Sequence, residues 1–301
     1  MTFDLRQFAA TVRVTDGVYG TELQRQRLLA GGCPELLNDT DPEIVEAIAR
    51  SYVEAGSDVI LTNSLSAHRF GLAPHGAERR AAELAEAAAA ISRRAARGTD
   101  VKVFGSFGPT GKVVMLEEVS RDALASAFAE TAEALAWGGA EAIVLETFNE
   151  LAEVRIALEA VQAACDLPVV VSMTFSSGPD QTMTMMGETP AKLAAMAGAC
   201  GADAVGANCG IGPEAALRVV RLLAEATDLP VWVKPNAGLP VVADGRTTFD
   251  MPPEKFAAFV PDFIGAGASF VGGGCGTTPD HVRAIRRQVD RLPAGAKERQ
   301  P

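Results

Sequence analysis

Two cysteines and one glutamate stand where apolar runs stop. Cys209 follows the run 204–208, Cys275 follows 269–274, and Glu146 follows Ile143-Val144-Leu145. A thiol at a strand end can bind a soft metal or attack an electrophile. A carboxylate placed directly after three apolar residues starts out nearly buried, where charge is costly without a partner. Cys275 sits in Val271-Gly272-Gly273-Gly274-Cys275-Gly276-Thr277-Thr278-Pro279. Glycines at a strand end let a ligand approach the backbone, and the helix opening at Pro279 turns its positive end to the same spot. The stretch also reads as a phosphate cradle, which glycines before a helix late in an α/β barrel often form.

Short β-branched runs alternate with alanine-rich helical stretches along the whole chain. Strands are expected over 11–15, 58–62, 101–105, 142–146, 168–174, 204–208, 231–234 and 269–273. Helices are expected over 42–55, 76–97, 121–138, 150–165, 190–200, 213–226, 253–267 and from 279 to about 287. Strand and helix in alternation imply a parallel sheet. Eight such units in 301 residues imply a (β/α)8 TIM barrel, one domain over 1–301. The runner-up is a doubly wound sheet, but no Gly-x-Gly-x-x-Gly follows the first strand.

In such a barrel the chemistry lies at the C-terminal strand ends. Those ends carry Asp16-Gly17, Thr62-Asn63, Glu146-Thr147, Met173-Thr174, Asn208-Cys209, Pro235-Asn236 and Cys275, with Gly108-Pro109-Thr110-Gly111 in the loop after the third strand. Singly, most have a structural reading. Asp16 can cap a turn with Gly17, Asn63 can cap its loop, and free cysteines are often small core residues. As a ring they describe one polar site on one rim.

Strands six and eight have one strand between them, so Cys209 and Cys275 can converge on one ion. Catalytic zinc takes three protein ligands and keeps one open position, so two cysteines are one short. Cys165 and Cys200 precede strands and fall at the opposite rim as packing residues. Cys33 lies on the active side in the loop after strand one. His68, His75 and His281 read as surface or capping residues. Five cysteines in irregular spacing make no disulfide framework.

Composition excludes several classes. A net charge of -11 disfavours nucleic acid and anionic membrane surfaces. No apolar run approaches the ~20 residues of a membrane span. The first residues lack a basic head followed by an apolar core. The expected location is cytoplasmic.

The motifs resemble the homocysteine S-methyltransferase family. The matching stretches include Asp16-Gly17-Val18-Tyr19-Gly20-Thr21-Glu22, Glu35-Leu36-Leu37-Asn38, Thr62-Asn63, Gly108-Pro109-Thr110-Gly111, Glu146-Thr147-Phe148, Ser172-Met173-Thr174-Phe175, Asn208-Cys209-Gly210, Pro235-Asn236-Ala237-Gly238 and Gly276-Thr277-Thr278-Pro279. They run in one order from Val14 to about Ile285 and look closest to the homocysteine module of cobalamin-dependent methionine synthase. The resemblance implies methyl transfer to the thiol of homocysteine, giving methionine, with Zn2+ presenting the thiolate. Substrate contacts carry over to Asp16, Gly17, Asn63, Glu146, Asn208 and Asn236, and metal ligation to Cys209 and Cys275. Those two cysteines and Glu146 are the expected catalytic set. One departure stands out: the family reads Gly-Gly-Cys-Cys-Gly-Thr-Thr-Pro, and here the first cysteine of that pair is Gly274. The resemblance implies a donor that is either a betaine-like small molecule or a separate methylcorrinoid or folate protein. The alternatives are a methyltransferase with another acceptor (a corrinoid protein or another thiol) and a non-catalytic amino-acid-binding barrel.

Overall fold

The computed structural model describes residues 3–26, 32–243, 246–293 and 295. Eight parallel strands make one sheet: β1 Arg13–Val14, β2 Val59–Leu61, β3 Lys102–Phe107, β4 Ala142–Phe148, β5 Val169–Met173, β6 Ala204–Cys209, β7 Val231–Pro235 and β10 Ala268–Val271. Their order is β1-β10-β7-β6-β5-β4-β3-β2. A parallel bridge between Thr15 and Val59 joins the first strand to the last. The sheet therefore meets itself, and helices fill the crossovers as parallel pairing demands. The expected (β/α)8 barrel is the observed fold, and all eight expected strands are present.

Side-chain parity explains which residues look inward. A strand sends alternate residues to opposite faces. In β4, Ala142 and Val144 belong to the inner apolar cluster, while Ile143 and Leu145 face the helices. Val170 of β5, Ala204 of β6 and Trp232 of β7 are inner residues by the same count, and Phe104 of β3 joins them. Two residues further along each strand, the same parity delivers Ser106, Glu146, Ser172 and Lys234. Four further along β6, it delivers Asn208. The barrel interior is thus apolar in its lower layers and polar in its top layer.

The bottom is closed by the short helix Leu5–Phe8. Phe3 and Phe8 pack on the inner cluster, where Phe104 and Phe270 both lie against Trp232, with ring centroids 6.2 and 5.2 Å away. Arg6 fastens the plug by donating to the Ala202 carbonyl at 3.1 Å. With the lower end filled by aromatic rings, the polar top layer is the end of the barrel open to ligands.

Two features differ from expectation. The helix expected over 253–267 is two helices, Pro253–Ala257 and Val260–Gly265. Pro261 sits in the first turn of the second, where its missing N–H is tolerated. The loop after β7 forms an antiparallel hairpin, β8 Pro240–Ala243 with β9 Arg246–Phe249. Its four-residue arms are too short to stand out as a pattern in the sequence.

Candidate functional site

The top layer is built around two thiols. Cys209 ends β6 and Cys275 follows β10, and their thiols lie close enough for a bond between them to act on the acidity of both. That bond, and then burial, pushes the Cys209 thiol well above its ordinary value. The same bond draws the Cys275 thiol down.

Two asparagines set the thiols. Asn236 Oδ1 accepts from the Cys275 N–H at 2.8 Å, and its Nδ2 donates to the Gly210 carbonyl at 2.8 Å. One side chain thus laces together the two cysteine-bearing strand ends. Asn208 Oδ1 accepts from the Thr147 N–H at 2.9 Å and from Ser172 Oγ at 2.7 Å, while Nδ2 donates to Thr147 Oγ1 at 2.7 Å. Both residues were expected to touch substrate. Their amides are engaged with the protein, and their observed work is to hold the cysteines.

Glu146 lies beside the thiols, close enough that its charge acts on both. Ser106 donates its hydroxyl to Oε1, and among the described residues Oε2 accepts no hydrogen bond. Burial raises the Glu146 carboxyl above its ordinary value, opposed by the nearby Lys234 ammonium and by the Ser106 bond. A carboxylate with a free oxygen at the mouth of a barrel is ready to take a cationic group.

Asp16 is placed differently. It is 0% exposed. Oδ2 accepts from the Leu61 N–H at 2.7 Å, and Oδ1 is ion-paired with Lys234. The Lys234 ammonium also donates to the Gly17 carbonyl at 3.1 Å and lies 5.8 Å from the centroid of the Trp232 ring. Burial raises the Asp16 carboxyl, and the lysine opposes the rise. Gly17 is glycine because a side chain there would sit 2.5 Å from the Tyr52 hydroxyl. Lys234 was missing from the sequence reading. Its signal was available, since it continues the inward parity of Trp232.

Asn63, expected to contact substrate, is engaged with the protein through its amide nitrogen. Its Nδ2 donates to the Pro34 carbonyl at 2.8 Å and to Asn38 Oδ1 at 2.9 Å, and its own carbonyl accepts from Asn38 Nδ2 at 2.9 Å. This reciprocal pair pins the loop after β1 and leaves the Asn63 amide no free donor for a ligand.

The glycines before Cys275 serve close packing. A Cβ on Gly272 would meet Thr15, one on Gly273 would meet Thr277, and one on Gly274 would lie 2.7 Å from the Lys234 carbonyl oxygen and 2.8 Å from Asn236 Oδ1. The helix Pro279–Arg291 is capped from within, because Thr278 and His281 form a capping box. His281 Nε2 is 3.0 Å from the Met251 carbonyl. Strand end and helix start are filled by protein, so the phosphate-cradle reading loses its space.

For a metal, the donor set is soft but short. Among the described residues no group of three or more His, Cys, Asp or Glu side chains is arranged to hold an ion. Cys33 does not supply the third ligand. Its thiol donates to Glu35 Oε2 at 3.3 Å and is buried in a separate cluster with Leu72, Ala77 and Leu84. Cys209 and Cys275 fit zinc chemically, and the protein contributes no third thiolate.

An eight-stranded parallel barrel with a thiol pair, a carboxylate and a buried lysine at its C-terminal rim defines the class: an α/β barrel equipped for thiol chemistry. The pattern of the homocysteine S-methyltransferase family matches residues 13–289, and the chain belongs to that family. It is 34% identical over 312 residues to a methionine synthase of Mycobacterium leprae (strain TN), covering 98% of this chain and 26% of that protein. It is also 34% identical over 298 residues to a methionine synthase of Mycobacterium tuberculosis (strain ATCC 25618 / H37Rv), covering 93% of this chain and 25% of the relative. The chain thus spans about a quarter of the length of these relatives. The metallated form of the homocysteine methyltransferase MmuM from Escherichia coli shares the fold, with a TM-score of 0.77 and 23% identity over 92% of this chain and 96% of the other.

Proposed function

We propose that this barrel, over residues 1–301, binds homocysteine and presents its sulfur for methylation, giving methionine. The observation that carries the reading is the contact between the Cys209 and Cys275 thiols beside the free oxygen of Glu146, in a member of this family. Glu146 Oε2 takes the acceptor's ammonium. The main-chain and amide bonds of Asn236 and Asn208 keep the thiols at the mouth. The plugged lower barrel lets the acceptor enter from one side only.

Zn2+ held by Cys209 and Cys275, when bound, stabilises the acceptor sulfur as thiolate. Any further ligands would have to come from water or from the acceptor itself. Two thiolates hold zinc less tightly than three, because affinity follows ligand count and charge.

Two donors remain in competition, a betaine-like onium compound and a methylcorrinoid or folate protein. The surface favours a macromolecule. Met115, Leu116, Met185, Met186 and Leu239 are exposed in the loops after β3, β5 and β7, on the thiol rim. Exposed apolar residues clustered on one rim mark contact with another surface. Of the two donor classes, a methylcorrinoid or folate protein is the occupant that such a rim suits, and it is the one we propose. No helix among the described residues is long and apolar enough to cross a membrane.

The test is calorimetry with homocysteine, followed by mass detection of methionine with each donor class. Binding together with methionine from a methylcorrinoid carries the reading. A folded protein that binds no homocysteine, with or without zinc, sinks it.

A further inference from the structure

Among the described residues Lys234 is the one ammonium in the top layer of the barrel, and its side chain is 2% exposed. A buried lysine must be paired, and its partner here is a carboxylate that is itself 0% exposed. The Asp16–Lys234 pair sits within electrostatic reach of Glu146 and of Cys275. With both carboxyls ionised, Asp16, Glu146 and Lys234 would together carry two negative charges and one positive. If the lysine were absent, the pocket would present two carboxylates to an incoming cation. With it present, only one carboxylate is unmatched, and that one is Glu146.

We propose that Lys234 is a tethered ammonium that occupies Asp16 and so decides how the acceptor's head group is read. It leaves Glu146 as the single carboxylate for a cationic group. Lys234 is a positioning and specificity residue, and Asp16 is its counter-ion rather than a ligand of the acceptor. This rests on the acceptor reading above and deepens it. The acceptor class is a thiol carrying one ammonium group, gripped by one carboxylate.

The geometry gives three reasons. Asp16 has its two oxygens bonded to Leu61 and Lys234, so an acceptor ammonium reaches it only by displacing the lysine. The lysine has three further restraints, the Gly17 carbonyl, the Trp232 ring and a backbone in mid-ladder, because Lys234 pairs with Asn208 across β6 and β7. Glu146 is different on each count, with one oxygen bonded to Ser106 and the other free among the described residues.

The experiment compares homocysteine with 4-sulfanylbutanoate, which lacks the ammonium. Affinities come from calorimetry, so no methyl donor is needed. In the wild type, homocysteine should bind about tenfold or more tightly than its des-amino analogue, the value of one charge-assisted contact. Lys234→Met frees Asp16 for the acceptor, so that ratio should rise by about another tenfold. The double variant Asp16→Asn/Lys234→Met removes both members of the pair and should return the ratio to within about threefold of wild type. An unchanged ratio in folded Lys234→Met overturns the proposal. So does loss of the preference in the double variant, which would make Asp16 a direct ligand.

A second measurement stands without homocysteine. Lys234→Ala leaves a cavity beside Asp16 that should take ethylammonium, seen as a rise in unfolding temperature. Where Lys234→Ala does not fold alone, recovery of fold with ethylammonium is the same readout. Asp16→Asn/Lys234→Ala should not respond. Absence of any ethylammonium effect on Lys234→Ala sinks the tethered-ammonium assignment, whereas a wild type that binds neither thiol sinks only the acceptor reading.

Discussion

Thr147 and Cys209 face each other with Oγ1 and Sγ 3.9 Å apart, and both hold left-handed backbone, with φ of 69° and 59°. Neither is glycine, so each conformation costs roughly 1–2 kcal/mol and persists only where neighbours enforce it. The enforcing side chain is Asn208, bonded to both the N–H and the hydroxyl of Thr147 and covalently next to Cys209. Strain placed at the thiol pair aims Cys209 at Cys275.

Replacing that enforcing side chain should release the strain and the thiol together. Asn208→Ala removes four hydrogen bonds, one of them to Cys209 Sγ, and leaves the Thr147 N–H unpaired, so it should cost about 2–4 kcal/mol of stability. Urea unfolding measures the cost. Reaction of Cys209 with a disulfide reagent should accelerate at the same time. Wild-type stability in a folded Asn208→Ala protein would show that the backbone holds its own shape.

Glu146→Gln should separate function from stability. The Glu146 carboxyl is raised by burial, so the folded state binds its proton more readily than the unfolded chain does. Such a group destabilises the fold as pH climbs through and above the unfolded value, and the amide removes that penalty. The variant should be as stable as wild type or more so at neutral pH, and should bind homocysteine about 10–100-fold more weakly. Unchanged homocysteine affinity by calorimetry would remove Glu146 from the site.

Zinc should bind the wild type more weakly than it binds three-cysteine relatives, and homocysteine should tighten it by adding a sulfur ligand. Chelator competition with and without homocysteine reads both effects, and Cys275→Ala should abolish them. Gly274→Cys would restore the third thiolate, but its Cβ would fall 2.7 Å from the Lys234 carbonyl oxygen. That variant should therefore cost about 1–3 kcal/mol of stability and gain zinc affinity only if the turn shifts. Stoichiometric tight zinc in the wild type would mean that a third protein ligand exists.

His68 should give the protein an acid limb. It is buried, and its Nδ1 accepts from the Gly71 N–H at 3.0 Å to cap the helix Arg69–Leu72. Burial lowers its value from 6.5 to about 4. The unfolded chain therefore binds the proton first, so stability is full above about 6.5 and falls as pH drops towards about 4. The loss attributable to this group is up to about 3 kcal/mol. His68→Asn keeps a capping acceptor without titrating, and its urea midpoint should stay nearly flat over that range while the wild type's falls.

The alternation of strands and helices was legible because each element needs only local pattern, period two or 3.6, to declare itself. The rim positions of Glu146, Cys209 and Cys275 followed from the same pattern, since a barrel fixes which strand end is the working one. Lys234 escaped because a lysine inside a strand reads as a strand end until its parity is followed to Asp16. The break before Val260–Gly265 was marked by Pro261, yet whether a proline kinks or divides a helix depends on what the helix packs against.

The sequence by itself determined the barrel, its family and the missing thiolate at position 274, because periodicity, motif order and residue identity are properties of the chain alone. Only the tertiary structure decided which polar residues are free to meet a ligand. Hydrogen bonds join residues hundreds of positions apart, as Lys234 joins Asp16. Such a bond gives Asp16 a buried partner within the protein and leaves Glu146 with the open oxygen.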